Sequence, residues 1–366
     1  MFLRTFLLVA IALPCVLATT ASAQFSAFIE GAKQPQLAAE RDRVHVVYVS
    51  DGRIRYAWFD RDGMEPASAT VAAPPKLMSG MRRGPRVAAS GDAVVVTAIA
   101  DEPARLTAWR STDAGKTWAE AAESLAGEPG VAREGLHDMA AGPDGKMAVV
   151  WLDLRNVERS GTELWMAESA DAGATWGEPR RLYHNPGGTI CECCHPSVTY
   201  DTDGEPVALF RNVVDGDRDM YLWRSGNDGK AEKLGVGSWP LNGCPMAGGD
   251  VVVHVNPMND RETVSTVWRR EGTIFVATPG HEENVVAEGR DPVLVVSESG
   301  WPAIVYTQPD GLFLYTPMHG TYRVDADKAA YPAAAALGDS IVAAYETKSG
   351  VEVRQIKSLD SLEKVQ

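Results

Sequence analysis

Two eight-residue segments share the pattern Ser-x-Asp-x-Gly-x-Thr-Trp: Ser111-Thr112-Asp113-Ala114-Gly115-Lys116-Thr117-Trp118 and Ser169-Ala170-Asp171-Ala172-Gly173-Ala174-Thr175-Trp176. A degenerate copy follows at Ser225-Gly226-Asn227-Asp228-Gly229. In such a segment the Asp hydrogen-bonds to its own turn, the Gly adopts positive φ, and the Trp packs between sheets. The sequence therefore predicts two structural turns at equivalent positions of a repeat, built on Asp113, Gly115, Trp118, Asp171, Gly173 and Trp176.

Around these turns, a pattern of two apolar strands separated by a polar turn recurs seven times. The copies begin at Pro35, Pro85, Leu136, Pro196, Pro245, Pro292 and Pro332. The period of about 40 to 60 residues is that of a four-stranded propeller blade. Helix signals are nearly absent, whereas Gly and Pro punctuate the whole chain. The sequence thus predicts an all-β propeller of four-stranded blades, with seven blades favoured and six as the alternative.

The seventh repeat contains only three strands, the third at Val351 to Ile356. The segment Phe25-Ser26-Ala27-Phe28-Ile29 is expected to supply the missing outer strand. This pairing would close the ring and remove two free sheet edges. Residues 24–366 are therefore predicted to form a single propeller domain.

The N-terminus has the pattern of a cleaved signal peptide. Arg4 precedes an apolar run from Phe6 to Ala18, and Ala21-Ser22-Ala23 matches a cleavage site that leaves Gln24 first. The run is short for a transmembrane helix. A lipoprotein would use Cys15, but a proline stands where a small residue is expected. Residues 1–23 are therefore predicted to be a signal peptide, and the mature protein to be periplasmic or secreted.

The charge balance limits the class of partner. The chain has 35 Lys and Arg against 49 Asp and Glu, a formal net charge of −14. Nucleic-acid binders concentrate basic residues in a patch, so no nucleic-acid partner is expected. Later apolar runs are short, so no membrane span is expected either. A metal ion, or a small-molecule or carbohydrate ligand, is the expected partner, and nothing indicates the oligomeric state.

Four cysteines remain after the predicted cleavage. Cys191, Cys193 and Cys194 directly precede the fourth repeat, and Cys244 directly precedes the fifth. The first strand of each blade is innermost, so the residues leading into it gather around one mouth of the central channel. The four sulfurs are therefore expected to lie together. His195, His137 and Met246 occupy neighbouring or equivalent positions.

Three interpretations of the cluster compete. An even cysteine count in an exported protein favours structural disulfides, and one bridge from the cluster to Cys244 is easier than one between Cys193 and Cys194. Clustered thiolates with Met246 and His195 or His137 suit Cu(I), and zinc less well. The favoured hypothesis is this soft-metal site, or thiol redox chemistry, with the four cysteines as ligands.

The third interpretation is a c-type haem. Cys191-x-x-Cys194-His195 matches the attachment motif formally, and Met246 would be the distal ligand. However, an additional cysteine stands inside the motif. A covalently held haem also requires a roomy apolar pocket.

The two octads resemble the Asp box of sialidases and other BNR-repeat proteins. The cysteine segment resembles that of exported sialidase-like proteins, which share a Cys-acidic-Cys-Cys run, an Arg-Asp pair and a Gly-Cys-Pro segment. Here these are Cys191-Glu192-Cys193-Cys194, Arg218-Asp219 and Gly243-Cys244-Pro245. The resemblance implies a propeller with the octads at blade edges. The relatives have Gln-Thr where this chain has His195-Pro196, which weighs against haem.

The resemblance to sialidases also implies an alternative function, hydrolysis of glycosides of acidic sugars. Such an enzyme clamps the substrate carboxylate with three arginines, because Arg binds carboxylates in a bidentate way. It also uses a Tyr-Glu pair as the nucleophile and an Asp as the acid/base. Arg82, Arg86, Asp138 and Tyr331 are the candidates, but the Arg-Ile-Pro run that opens sialidase domains is missing. A non-catalytic binding propeller with structural disulfides is the further alternative.

Overall fold

The computed structural model describes residues 25–60, 69–227 and 229–365. The predicted signal peptide with Cys15, the expected first mature residue Gln24, and Asp228 of the degenerate octad lie outside these ranges. None of the helices in the described ranges has the length and apolar character needed to cross a membrane.

The described residues form seven antiparallel sheets, the blades of a propeller. The first strand in the chain is β1 (Ser26–Glu30), which belongs to the seventh blade. The strands of the first three blades are β2 (Lys33–Glu40), β3 (Arg43–Ser50), β4 (Arg53–Asp60), β5 (Ala69–Ala72); β6 (Arg86–Ser90), β7 (Ala93–Ala100), β8 (Arg105–Ser111), β9 (Ala119–Ala122); and β10 (His137–Ala141), β11 (Met147–Asp153), β12 (Glu163–Ser169), β13 (Arg180–Tyr183).

The strands of the last four blades are β14 (Thr189–Ile190), β15 (Ser197–Tyr200), β16 (Pro206–Val214), β17 (Asp217–Arg224), β18 (Ala231–Lys233); β19 (Gly249–Asn256), β20 (Arg261–Arg270), β21 (Thr273–Ala277), β22 (Asn284–Glu288); β23 (Arg290–Val296), β24 (Pro302–Gln308), β25 (Gly311–Thr316), β26 (Gly320–Asp325); β27 (Ala330–Leu337), β28 (Ser340–Glu346), β29 (Gly350–Ile356); and, last in the chain, β30 (Glu363–Lys364). One helical turn, α1 (Val157–Ser160), and two 3₁₀ turns, Pro143–Gly145 and Leu359–Ser361, complete the described elements.

The innermost strands form a closed ring. Strands β2, β6, β10, β15, β19, β23 and β27 each contact the next, and β27 contacts β2 again. Seven blades are thereby confirmed, and the six-blade alternative is wrong. The sequence repeat located each innermost strand, because every repeat begins within or just before one.

The N-terminal strand closes the ring as predicted. Strand β1 pairs antiparallel with β29, with Ser26 opposite Arg354 and Glu30 opposite Gly350, so the seventh blade takes its outer strand from the other end of the chain. The sequence did not predict β30, which pairs with β26 and adds a fifth strand to the sixth blade.

Apolar side chains pack between adjacent blades. Trp151 of β11 is fully buried in a cluster with Val95 and Ile99 of β7, so it joins the second and third blades. Tyr56 of β4 belongs to a similar cluster between the first and second blades. Burial of apolar area between sheets is the main stabilising contribution here.

The first octad is one of these blade contacts. Asp113 accepts hydrogen bonds from the backbone N–H of Lys116 and Thr117 and from the Thr117 hydroxyl, and the bonds from Thr117 lower its pKa to about 2. Gly115 has φ +89°, and a Cβ at this position would collide with the ring of Tyr56. The Trp118 ring meets Tyr56 edge to face, with centroids 5.1 Å apart.

The second octad has the same geometry one blade further on. Asp171 accepts from the backbone and hydroxyl of Thr175, which lower its pKa to about 2. Gly173 has φ +76°, and Trp176 packs against the cluster between the second and third blades.

Candidate functional site

The cysteine segment interrupts the innermost strand of the fourth blade. Strands β14 and β15 both pair with the same edge of β16: Ile190 lies opposite Asn212, and Ser197 lies opposite Leu209. Between them the chain leaves the sheet, held at its start by a 2.9 Å hydrogen bond from the Cys191 N–H to the Arg211 carbonyl. The fold therefore presents residues 191–196 as a loop on the inner edge of the sheet.

One disulfide and two thiols occupy this loop. Cys193 is bridged to Cys244, with a Cα–Cα distance of 6.2 Å, which links the fourth blade to the segment before the fifth. The expectation of one bridge from the cluster to Cys244 is confirmed. Cys191 and Cys194 remain thiols, and the Cys191 Sγ lies 3.3 Å from the Cys194 Sγ and 3.6 Å from the Cys193 Sγ.

The four sulfurs differ in exposure. Cys191 and Cys194 are each 1% exposed and Cys193 is 9% exposed, whereas Cys244 lies on the surface. The two thiols are thus covered by protein, and the bridge extends from the buried loop to solvent.

Two arginines bring positive charge to the buried thiols. Arg218 places its Nη1 3.1 Å from the Cys191 Sγ and is held by a hydrogen bond from its Nε to the Leu241 carbonyl. Arg211 is 1% exposed and donates to three backbone carbonyls, those of Ala247, Arg218 and Arg269. These carbonyl partners carry no net charge and do not neutralise the guanidinium groups. The positive charges of Arg218 and Arg211 therefore act on the nearby thiols.

These contacts give the two thiols opposite tendencies to ionise. The hydrogen bond with Cys194, followed by the charges of Arg218 and Arg211, lowers the pKa of Cys191 to about 6, against the opposing effect of burial. Burial and the neighbouring Cys191 raise the pKa of Cys194 well above its ordinary value. The pair therefore holds one thiolate and one thiol at neutral pH, as in reactive dithiols.

The predicted metal ligands are only partly brought together. The sulfurs of Cys191, Cys193 and Cys194 all lie within 4.8 Å of one another. The Met246 Sδ lies 3.1 Å from the Cys244 Sγ. Neither histidine joins the group of three in the described part of the chain.

Each histidine has other surroundings. The imidazole of His195 packs against Gly248, and burial together with Arg82, Arg86 and Arg211 lowers its pKa well below the usual value. His137 is buried, and its Nε2 lies 3.1 Å from the Thr97 hydroxyl. Burial also lowers the pKa of His137.

The central channel contains most of the residues suggested for glycoside hydrolysis. A cavity of about 460 Å³ is bounded by the seven innermost strands, and Arg82, Arg86 and Asp138 line it. The Arg86 Nε lies 3.4 Å from an Asp138 oxygen, and the Arg82 Nε lies 3.2 Å from an Asp291 oxygen. Both arginines are therefore already paired with carboxylates.

The channel also contains a carboxylate that sequence reasoning missed. Asp250 lines the same cavity and accepts hydrogen bonds from the Ser197 hydroxyl and the Leu294 N–H, both 2.8 Å long. Burial raises the pKa of Asp138 to about 6, opposed by Arg86 and assisted by Asp250. Asp138 and Asp250 are each the second residue of an innermost strand, and this shared position was the available signal.

Tyr331 lies in an adjoining cavity. This space of about 220 Å³ also borders His195, Met246, Arg269 and Arg290. Burial, followed by Asp291 and Glu346, raises the pKa of the Tyr331 hydroxyl. The adjoining cavity reaches the cysteine group through Met246, which contacts Cys244.

The sequence matches no protein-family model and no curated protein. Among solved structures, an α-L-arabinanase of Penicillium chrysogenum in complex with arabinobiose has 13% identity and TM-score 0.51, over 93% of this chain and 99% of that one. Virginiamycin B lyase of Staphylococcus aureus has 14% identity and TM-score 0.55, over 92% and 99%. The Hadza microbial sialidase Hz136 has 14% identity and TM-score 0.49, over 88% and 75%. At these identities the likeness is one of fold.

Proposed function

We propose that this propeller is an exported thiol–disulfide redox protein whose centre is the cysteine group at the inner edge of the fourth blade. The observation that carries the proposal is the position of the Cys191 sulfur. It lies 3.3 Å from a second thiol and 3.6 Å from a sulfur of the Cys193–Cys244 disulfide. An exported location suits this chemistry, because disulfides persist in oxidising compartments.

The surroundings of Cys191 support the same chemistry. Thiol–disulfide exchange requires a thiolate nucleophile and a disulfide within reach. Arg218 stabilises the thiolate of Cys191, and Cys194 supplies a neighbouring thiol from which a second disulfide can form. The arrangement thus contains a nucleophile, a resolving thiol and a disulfide on one loop.

The test is the rate at which the protein catalyses exchange between glutathione disulfide and a dithiol peptide. We expect clear acceleration by the wild type and its loss in the double variant Cys193→Ser, Cys244→Ser. Met318→Leu is the matched control, because this exposed methionine follows β25, outside the cysteine loop, and the variant should keep the full rate. A wild-type protein that gives no acceleration over the uncatalysed reaction would overturn the proposal.

Cu(I) binding is the second candidate, and it requires the Cys193–Cys244 bridge to be reduced so that these sulfurs are thiolates. It is favoured by three cysteine sulfurs within 4.8 Å and by the thioether of Met246 beside Cys244. Sulfur ligands of this kind select Cu(I) over harder ions. Elemental analysis of anaerobically purified protein tests it. Stoichiometric copper that disappears in a Cys193→Ser, Cys194→Ser double variant would support the metal site. Zinc would indicate a different ion at the same sulfurs, and iron would indicate haem. Absence of metal would exclude copper, zinc and haem alike.

Hydrolysis of an acidic glycoside is a third candidate, favoured by the channel carboxyl of Asp138 with its pKa of about 6, which suits a general acid. The ion pairs of Arg82 and Arg86 weigh against it, since a substrate carboxylate would have to displace Asp291 and Asp138. Turnover of a fluorogenic sialoside that fails in Arg86→Ala would support this function. No turnover by the wild type would exclude the sialoside.

A further inference from the structure

The two sulfur pairs of the centre differ in access to solvent. Cys244 lies on the surface, whereas Cys191 and Cys194 are each 1% exposed. A buried dithiol would have no direct reaction partner in solution. The contact that joins the pairs is the 3.6 Å approach of the Cys191 Sγ to the Cys193 Sγ.

We infer that the centre is an internal relay, in which Cys191 transfers the disulfide between the exposed pair Cys193–Cys244 and the buried pair Cys191–Cys194. The inference rests on the proposed redox function and deepens it. It assigns Cys244 as the sulfur that exchanges with external thiols and Cys191 as the internal nucleophile. The external substrate class is a thiol or disulfide, carried by a small molecule or by a protein.

The relay proceeds in two balanced exchange steps. First, the Cys191 thiolate attacks the Cys193 sulfur; a Cys191–Cys193 bond forms, the Cys193–Cys244 bond breaks, and Cys244 leaves as a thiolate. Second, the Cys194 sulfur attacks the Cys191 sulfur and its proton passes to Cys193, whose sulfur lies within 4.8 Å. The Cys191–Cys194 bond forms, the Cys191–Cys193 bond breaks and Cys193 leaves as a thiol, so the protein neither gains nor loses electrons.

The surroundings favour each step. Arg218, 3.1 Å from the Cys191 Sγ, stabilises the attacking thiolate. The 3.3 Å contact between Cys191 and Cys194 places the resolving thiol beside the intermediate bond. Cys244 has the Met246 thioether as its sulfur neighbour and solvent around it, so it can leave without loss of a structural hydrogen bond. The exposed pair that results can then reduce an external disulfide.

The experiment maps the disulfides of each variant. Fully reduced protein receives one equivalent of diamide, is incubated without free thiol, and is then quenched in acid, alkylated and digested. In the wild type, peptides containing the Cys191–Cys194 bond should appear beside those containing Cys193–Cys244. In Cys191→Ser the Cys193–Cys244 bond should form and persist, with Cys194 alkylated, because the internal nucleophile is missing. In Cys194→Ser the relay should stop after the first step, with a Cys191–Cys193 bond and an alkylated Cys244.

Two outcomes would overturn the relay. One is a wild type that keeps only Cys193–Cys244 throughout the incubation. The other is a Cys194→Ser variant in which Cys244 is never alkylated although its circular dichroism spectrum is native. If either outcome occurs while the wild type still exchanges with glutathione disulfide, the redox function stands and only the relay fails. If no variant and no wild type exchanges with glutathione, the proposed function itself fails.

Small and macromolecular partners are separated by a second measurement. The Cys244 mixed disulfide formed with glutathione is compared with that formed with a cysteine-containing peptide, under the same conditions. Formation with glutathione alone identifies a small-molecule partner, formation with the peptide alone identifies a protein partner, and formation with both identifies a centre open to either source. Two results together would contradict the role of Cys244 as the external sulfur. Neither glutathione nor the peptide would modify Cys244, and dithiothreitol would reduce the Cys193–Cys244 bond only in the unfolded protein.

Discussion

At the scale of single residues, the chemistry of the centre depends on the partners of the Cys191 sulfur, first the Cys194 thiol and then the charges of Arg218 and Arg211. Arg218 is fixed by the Leu241 carbonyl and contacts the Cys191 sulfur, while Cys194 remains protonated at neutral pH. An isolated thiol has a pKa of about 8.5 and is mostly protonated at pH 7. The pKa of Cys191, about 6, is low enough for its nucleophilic thiolate to be present at that pH. Arg211, with its three carbonyl partners, adds charge and also fixes the loop.

Arg218→Gln tests this electrostatic role. The pKa of Cys191 lies at about 6 in the wild type, below its unperturbed value, so the thiolate is present above that pH and is lost as the pH falls through it. Removing the positive charge should move the midpoint upward by about one unit or more. The ultraviolet absorbance of the thiolate, followed during a pH titration of protein whose Cys193–Cys244 bridge is intact, measures it.

Arg180→Gln is the matched control, because Arg180 pairs with Glu168 on the surface of the third blade. Its titration should coincide with that of the wild type. An unchanged midpoint in Arg218→Gln would show that the arginine does not stabilise the thiolate.

At the scale of structural elements, the octad turns join neighbouring blades. Gly115 is positioned against Tyr56 of the preceding blade, where no side chain fits. Gly52, in the β3–β4 turn, also has positive φ, but a Cβ at this position would have no atom within 4 Å and would meet open space. Alanine substitutions at the two glycines can therefore be compared. The comparison separates the free-energy cost of a strained backbone from the cost of a clash between blades.

Gly115→Ala should destabilise the protein by about 2–4 kcal/mol, because backbone strain is added to overpacking against Tyr56. Gly52→Ala should cost about 1 kcal/mol, from the left-handed backbone alone. Chemical denaturation followed by fluorescence measures both. Equal losses in the two variants would mean that the Gly115 contact between blades contributes nothing.

The disulfide is the second link between elements. It closes a segment with a sequence separation of 51 residues, and loop-closure entropy of the unfolded chain predicts a contribution of up to about 4 kcal/mol. Cys244→Ser should lower the free energy of unfolding by a comparable amount. Wild-type protein denatured with a reductant present should show the same loss. Identical stability with and without reductant would mean that the bridge does not constrain the unfolded chain.

At the scale of the whole molecule, closure of the ring depends on one pairing between the chain ends. Strand β1 covers the edge of β29, which would otherwise present unpaired backbone groups to solvent. Strand β30 is also terminal, but its two residues are exposed and extend a blade that is already four-stranded. The two termini thus make unequal contributions to the fold.

Deletion of residues 25–30 should lower the melting temperature strongly and cause self-association through the exposed β29 edge. Deletion of residues 363–366 should have a small effect. Differential scanning calorimetry and light scattering measure the two results. A monomer of unchanged melting temperature after the N-terminal deletion would contradict closure by β1.

The fold was accessible from the sequence because each blade repeats one pattern, and seven copies reduce the ambiguity of any single strand. The gathering of the cysteines followed from the positions of Cys191 and Cys244 before adjacent innermost strands. Which cysteine is bridged could not be predicted, since this depends on how the loop leaves the sheet between β14 and β15. His137 and His195 were expected beside the sulfurs, but side-chain direction around the channel is not encoded in strand position.

The most direct test of the proposed redox function is whether the number of free cysteine thiols changes reversibly. The reduced protein is equilibrated with glutathione buffers of increasing disulfide content, quenched in acid, alkylated and weighed by mass spectrometry. A redox centre predicts that Cys191, Cys193, Cys194 and Cys244 pass reversibly from four thiols to two and then to none. If the thiol count does not change reversibly in any buffer, the cysteine group is not a thiol–disulfide centre.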